Sequence, residues 1–210
     1  MSEQGTDEWK AERLGKATGS RISDIITRLK SGGFSAMRKA YATQLAIERI
    51  SKQPYSFQPN AAMQHGPNTE PLARDAYRAT IFEEVTEVGF VDHPTIPNAG
   101  ASPDGLVGDD GLVEIKCPES HTHIGYLLDG IVPERYFAQI QWQIACTGRK
   151  WCDFVSYDPR CPEELQLFIK RVEYDECFVA TTEEMVRKFL VEVDELTETL
   201  TNKIKEKQGA

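Results

Sequence analysis

The stretch SPDGLVGDDGLVEIKCP, residues 102–118, places two acids and a lysine around a glycine-rich turn. Apolar residues on both sides of GDDG are typical of two strands joined by a tight turn. Residues two apart in a strand share a face, so Glu114 and Lys116 point together while Ile115 faces the core. Asp104 lies on the preceding strand, and the turn brings it toward Glu114.

The converging carboxylates predict a site for a divalent metal. Two carboxylates a few ångströms apart repel each other, and each raises the pKa of the other. Mg²⁺ or Mn²⁺ removes that repulsion and takes oxygen ligands, for which the backbone carbonyl of Ile115 is a third candidate. Lys116 could then position or deprotonate a water, or stabilise charge on a phosphate. The alternative is an exposed salt bridge, since E-x-K is common on exposed strands.

Composition limits the class of protein. With 210 residues, 40% hydrophobic and 27% charged, the chain is expected to be a soluble domain with a sizeable core. No apolar run approaches the roughly 18–20 residues of a membrane span, and MSEQGTDEWK lacks the order of a signal peptide, so a cytoplasmic location is expected. The five scattered cysteines include no CxxC pair, which favours free thiols.

Charge is unevenly distributed along the chain. The net charge of −9 opposes nonspecific coating of nucleic acid. Residues 10–39 nevertheless carry eight bases against two acids, whereas residues 83–119 carry nine acids and the single base Lys116. Such a chain suits one anionic and one cationic ligand at separate places. Charge runs are, however, more often plain solvated faces.

Apolar residues at spacings of three and four predict the helices. Within 35–52, Met37, Tyr41 and Leu45 are expected to face the core. Helices are expected at residues 20–32, with Ser20 or Ser23 near the N-cap, at 35–52, from 68 with Pro71 in the first turn, at 134–148 and at 182–206.

The predicted strands define the fold class. They lie at residues 84–91, 99–107, 112–116, 151–158 and 165–173, the first three forming a meander. We therefore expect an α/β (α+β) fold with a central mixed sheet of about five strands flanked by helices. Residues 1–210 then form one domain, with a helical N-terminal part (1–80), a sheet core (81–175) and a C-terminal helix (182–206).

The motif and its neighbours resemble a known enzyme family. SPDG followed by EIK matches the PD-(D/E)xK nuclease signature, whose core is restriction-endonuclease-like. Further segments resemble the phage lambda-type 5′→3′ alkaline exonucleases, the YqaJ-like viral recombinase family. They are ERLGKATGSR (12–21), HGPNTEPLARDAY (65–77), IKCPES (115–120), YFAQIQWQ (136–143) and YDPR (157–160), in collinear order from residue 9 to about 160.

The resemblance implies catalytic roles. Asp104 would bridge two Mg²⁺ ions, for which Mn²⁺ can substitute, and Glu114 with the Ile115 carbonyl would complete one site. Lys116 would assist the attacking water. Glu70 matches an acid that the family holds on a helix beside the metals, where it acts directly or through water. Taken alone, Glu70 also fits a helix-start acid favoured by the helix dipole.

The resemblance also implies a pocket for a 5′-phosphate, formed by Arg13, Ser20, Ser102 and Gln139. A guanidinium offers forked donors to phosphate oxygens, and hydroxyls and an amide add neutral ones. Singly, Ser20 also fits a helix cap, and Arg13 and Gln139 also fit solvent-exposed positions. Met63 corresponds to an apolar wedge that splays the duplex end, although core packing explains it equally well.

The implied reaction is digestion of the 5′-ended strand of linear double-stranded DNA to mononucleotides, which leaves a 3′ overhang. The family further implies a ring-shaped homotrimer and a single-strand annealing protein as partner, in a bacterial cell that hosts a phage or prophage. His65 matches no metal spacing and is expected to be structural or a loop residue.

Other functions stay open at the level of sequence. An iron–sulfur exonuclease would need clustered cysteines, which the chain lacks. A restriction-like endonuclease would not need residues that hold a DNA terminus. A DNA-end-binding scaffold without activity would have lost a ligand, whereas Asp104, Glu114 and Lys116 are all present.

Overall fold

Strands of two sheets form the centre of the protein. A computed structural model describes residues 2–55 and 61–208, with the backbone alone over 61–68. One sheet has the order β1-β4-β3, and the other has the order β2-β5-β6-β7-β8. The strands are β1 (Ala17–Thr18), β2 (Val85–Thr86), β3 (Val91–Asp92), β4 (Ala99–Ala101), β5 (Gly105–Val107), β6 (Gly111–Lys116), β7 (Trp151–Tyr157) and β8 (Leu167–Glu173).

Seven α-helices occur in the described ranges, and none of them is long and apolar enough to cross a bilayer. They are α1 (Asp7–Arg13), α2 (Ile22–Ile26), α3 (Ala36–Ser51), α4 (Ala61–Ile81), α5 (Ser120–Asp129), α6 (Glu134–Thr147) and α7 (Glu176–Gln208).

The five-stranded sheet confirms the predicted mixed sheet. Its central strands β6 and β7 are parallel, and every other pair is antiparallel. β6 is buried from Gly111 to Ile115 and β7 from Cys152 to Tyr157, as expected for strands covered on both faces. α4 packs on one side of this sheet, and α6 packs on the other, between the sheet and α7.

The predicted three-strand meander is wrong in one respect. Residues 84–91 and 99–107 do not form continuous strands, because each segment divides between the two sheets. The second segment leaves β4 after Ala101 and enters β5 at Gly105. Pro103 lies in the gap, and a proline cannot donate a hydrogen bond to a sheet ladder. The chain therefore changes sheets at Ser102–Asp104.

Helix boundaries also differ from the prediction. The helix expected over 20–32 is shorter, because a 3₁₀ turn (Gly19–Arg21) leads into α2 and Thr27 is already extended. Arg21 occupies the N-cap position, without a side-chain cap. α5 was not predicted, and α7 begins at Glu176 rather than at 182. α4 begins before residue 68, so Pro71 lies in its interior and not in its first turn.

The buried face of α3 is rotated from the predicted one. Tyr41 and Leu45 are buried as expected, but Met37 is 54% exposed. Arg38 turns inward instead and is 3% exposed. Its guanidinium donates to the Ile25 carbonyl at 2.7 Å and pairs with Glu192 on α7, which satisfies the buried charge.

Candidate active site

Asp104 lies where strand pairing stops. The last pair between β5 and β6 is Gly105 with Val113, so the same register would place Pro103 opposite Ile115. Pro103 has no N–H to donate. The Ile115 carbonyl therefore has no backbone donor from Pro103, and the Ile115 N–H is donated to the Asp104 Oδ2 atom at 2.7 Å. Because the N–H and C=O groups of a paired strand residue point to the same side, the Ile115 carbonyl also faces the Asp104 side.

Glu114 is held by three donors. It is 0% exposed, and the Nζ atom of Lys116 contacts its Oε1 atom. Gln139 donates to Oε1 at 2.6 Å and Gln143 donates to Oε2 at 2.5 Å. These glutamines lie one turn apart on α6 and therefore reach the same carboxylate. The burial of Glu114 rules out the alternative of an exposed salt bridge.

Lys116 is the cation nearest these acids. Its burial opposes the charged form, but the carboxylates of Glu114 and Asp104 outweigh burial and raise the pKa of the lysine. Lys116 is therefore an ammonium at neutral pH in this arrangement. Its Nζ atom also lies 5.3 Å from the ring centroid of Tyr136.

Glu70 adds a third acid from α4. It pairs with Arg74 at 2.6 Å, and Arg74 also pairs with Glu87 at 2.9 Å. Burial raises the pKa of Glu70, against the nearby cations Arg74 and Lys116. The pKa of Asp104 is raised well above its usual range. Burial is the largest cause, and the negative charges of Glu114 and Glu70 add to it.

This cluster fits a hard divalent cation by its chemistry. Its carboxylates penalise one another, and oxygen ligands suit Mg²⁺. Among the side chains that the structure describes, in residues 2–55 and 69–208, however, no three of His, Cys, Asp or Glu are already gathered as a ligand set. The Asp104 carboxylate is engaged with the Ile115 N–H, and Lys116 contacts Glu114. Ion binding would therefore require small rotations of these side chains.

A cationic cavity of about 290 Å³ lies between the N-terminal segment and α3. The Arg13 guanidinium stacks 4.1 Å from the ring centroid of Trp9 and donates to Ser102 Oγ at 3.1 Å. Four cations and one carboxylate line it, and three of the cations pair with acids outside the lining: Lys10 with Asp7, Lys16 with Asp92 and Arg21 with Asp24. The Arg13 guanidinium offers forked donors that suit an anionic ligand. The charged and polar lining residues are Lys10, Arg13, Lys16, Thr18, Ser20, Arg21, Tyr41, Gln44 and Glu48.

The predicted phosphate-binding residues fall in two places. Arg13 and Ser20 line the cationic cavity, and Ser102 contacts Arg13 from the turn before Asp104. Gln139 lies instead beside Glu114. The side chains of Met63 and His65 are outside the described residues.

Sequence reasoning missed several residues of the site. Trp9 donates its indole N–H to Ser102 Oγ at 2.9 Å, and Gln143 is buried against Glu114. The spacing of four between Trp9 and Arg13, and between Gln139 and Gln143, is the signal that could have paired them. Arg21 also lines the cavity. Helix α2 begins only after Arg21, and the Arg21 guanidinium stacks 4.2 Å from the centroid of the Tyr41 ring.

Comparisons with known proteins agree on one family. A family model described as the YqaJ-like viral recombinase domain matches residues 8–150. The chain is 47% identical to an alkaline exonuclease from Laribacter hongkongensis, with a TM-score of 0.89 over 96% of this chain and 99% of the other. The structure of that enzyme in complex with dAMP gives the same identity and coverage, with a TM-score of 0.90.

More distant relatives add less. A phage-related exonuclease from Haemophilus somnus 129PT is 14% identical over 88% of this chain and 96% of the other, with a TM-score of 0.69, which shows the fold alone. An uncharacterised protein, R354, of Acanthamoeba polyphaga mimivirus is 26% identical over 166 residues. That match takes in 73% of this chain and only 29% of the mimivirus protein.

Proposed function

Because the chain belongs to the YqaJ-like viral recombinase family, we propose that it is a DNA exonuclease, a phosphodiester hydrolase that acts at Asp104, Glu114 and Lys116. The observation that carries the proposal is a buried acidic cluster joined to a cationic cavity through one short turn. Ser102 contacts Arg13 in the cavity, and Asp104 follows two residues later. The likeness to an alkaline exonuclease over almost the whole chain supports it.

The enzyme acts on the 5′-ended strand of linear double-stranded DNA. The cationic cavity holds the terminal 5′-phosphate, since the Arg13 guanidinium offers forked donors and Ser20 a neutral one. Ser102 orients Arg13 by accepting its hydrogen bond. Gln139, which donates to Glu114, lies beside the acidic cluster. Cleavage one nucleotide in from that phosphate releases mononucleotides and leaves a 3′ overhang for single-strand annealing.

Asp104, Glu114 and the Ile115 carbonyl would hold Mg²⁺, in two sites, with Glu70 contributing directly or through water. Bound Mg²⁺ would supply an activated water and stabilise the charge of the leaving oxygen. The protein's own groups prepare this chemistry. Gln139 and Gln143 fix the Glu114 carboxylate, and the Lys116 ammonium can donate to a water or to a phosphate oxygen.

The assembly is proposed to be a ring-shaped homotrimer that encloses DNA and works with a single-strand annealing protein in the bacterial cytoplasm. A chain with a net charge of −9 gains little from nonspecific attraction to DNA. A closed ring would retain DNA by topology instead. Light scattering coupled to gel filtration tests this point, and a monomer at working concentration would reject the ring.

The decisive experiment is digestion of a linear duplex that carries separate 5′ and 3′ labels, with Mg²⁺, on 5′-phosphorylated and 5′-hydroxyl ends. Early release of the 5′ label as a mononucleotide, faster from phosphorylated ends, supports the proposal. Early release of the 3′ label would reverse the polarity. Cutting of closed circular duplex would favour the restriction-like alternative, and inactivity on every DNA would favour the scaffold.

A further inference from the structure

The N-terminal segment, residues 2–13, is attached to the turn that carries Asp104. Trp9 and Arg13 both donate to the Ser102 side chain, and Arg13 lines the cationic cavity. Gln4 makes a third attachment, from its Nε2 atom to the Pro103 carbonyl at 2.7 Å. Gln4 lines neither the cationic cavity nor the acidic cluster, so its contact with Pro103 must act on the backbone rather than on a ligand.

The Gln4 amide joins two separate pieces of backbone. Besides Pro103, it donates to the Val88 carbonyl at 3.0 Å, between β2 and β3. An amide nitrogen has two hydrogens, and both are used here. The side chain therefore fixes the segment just before β5 to the β2–β3 connection, through contacts that span 99 and 84 residues of sequence.

The local backbone holds Gln4 in this place. Gly5 has a φ of +86°, a left-handed conformation that favours glycine. Thr6 then caps α1 by accepting the N–H of Trp9 at 3.3 Å. On the other side, a Cβ on Gly89 would lie 2.2 Å from the Ser2 carbonyl oxygen, so the absence of a side chain there makes room for the segment.

Asp104 needs such an anchor. Its carboxylate is partly buried near the like charges of Glu114 and Glu70, which repel it, and the positive charge of Lys116 offsets part of this repulsion. The backbone at Pro103 has left the ladder, and the Gln4 amide supplies a hydrogen bond to the Pro103 carbonyl there. We infer that Gln4 is a positioning residue, which keeps the Pro103–Asp104 backbone in place so that the Asp104 carboxylate stays aimed at the metal-binding side of β6. This inference rests on the proposed nuclease site.

The test replaces Gln4 with Met, which keeps the length of the side chain but removes the amide. Gln53→Met is the matched control, because Gln53 is exposed beyond α3. Four quantities are measured: kcat, KM for 5′-phosphorylated duplex, calorimetric affinity for Mn²⁺ without DNA, and Tm. Loss of support behind a metal ligand typically costs roughly 10–100-fold in metal affinity or activity.

We expect Q4M to lower kcat and Mn²⁺ affinity by about tenfold, with KM and Tm close to wild type and Q53M unchanged throughout. Q4E, which keeps the shape without the donor, should repeat this pattern if Q4M folds poorly. Unchanged Mn²⁺ affinity, or a rise in KM alone, would overturn the inference. If wild-type protein digests no DNA, the proposed function fails, whereas the Mn²⁺ titration still decides the role of Gln4.

Discussion

The carboxylate of Asp104 accepts the backbone N–H of Ile115 at 2.7 Å, while Pro103, opposite Ile115 in the strand register, has no N–H to donate to the Ile115 carbonyl. The ladder between β5 and β6 ends at the pair Gly105 and Val113, and the edge of β6 beyond that pair is open. A side chain and a backbone carbonyl face the same opening. This explains in physical terms why a proline precedes the acid in the motif.

Asp104→Asn should separate activity from stability. The amide keeps the size of the side chain and can still accept the Ile115 N–H, but it removes a partly buried charge that Glu114 and Glu70 repel. We expect nuclease activity to fall by at least about 10²-fold and Tm without Mg²⁺ to rise by about 2–4 °C. Asp109→Asn on the exposed turn is the control, and a fall in Tm for D104N would contradict this account.

The convergence of Asp104, Glu114 and Lys116 was predictable from sequence, and the placement of the residues that support them was not. Strand alternation and one turn suffice to bring Asp104, Glu114 and Lys116 together. The alternation of apolar and polar residues cannot show that residues 99–107 pass from one sheet to the other, because strands of both sheets have the same kind of pattern. The partners of Gln4 and Trp9 lie 84 to 99 residues away in sequence, and only tertiary packing determines such contacts.

Gln143→Met should destabilise the protein more than Gln139→Met. Gln143 is buried, and its loss leaves one Glu114 oxygen without its donor, whereas Gln139 is partly exposed and water can replace it. An unsatisfied buried acceptor costs about 1–3 kcal/mol in the free energy of unfolding. Urea unfolding of both variants measures the difference. Equal losses would show that the two donors are equivalent.

Arg13→Met should remove the preference for a 5′-phosphate. The guanidinium stacks on Trp9 and lines the cationic cavity. We expect kcat/KM on 5′-phosphorylated duplex to fall by about 10–100-fold, which corresponds to the loss of a charged hydrogen bond, with little change on 5′-hydroxyl duplex. Arg13→Lys should restore only part of the loss, since an ammonium lacks the forked geometry.

Lys30→Met is the control for this series, because Lys30 is an exposed cation outside the cavity. It should reduce digestion of both substrates equally, if at all. Equal losses on both substrates in the Arg13 variants would mean that Arg13 contacts DNA generally and does not recognise the terminus.

His93 should make the fold sensitive to acid. Its Nδ1 atom accepts the N–H groups of Thr95 and Ile96, both at 3.2 Å, so the neutral ring carries its proton on Nε2, which lies 3.3 Å from Glu183. Burial lowers the pKa of His93, Arg187 adds to this, and Glu183 opposes it.

Because the folded pKa of His93 is below the unfolded value of about 6.5, the unfolded chain binds more protons between the two values. The stability that His93 contributes is therefore full above pH 7 and is lost as pH falls below about 6.5. Urea unfolding from pH 5 to 8 measures this slope. His93→Gln should flatten it, and Glu183→Gln should steepen it, since the opposing carboxylate is removed. An unchanged slope in both variants would assign the acid sensitivity to other groups.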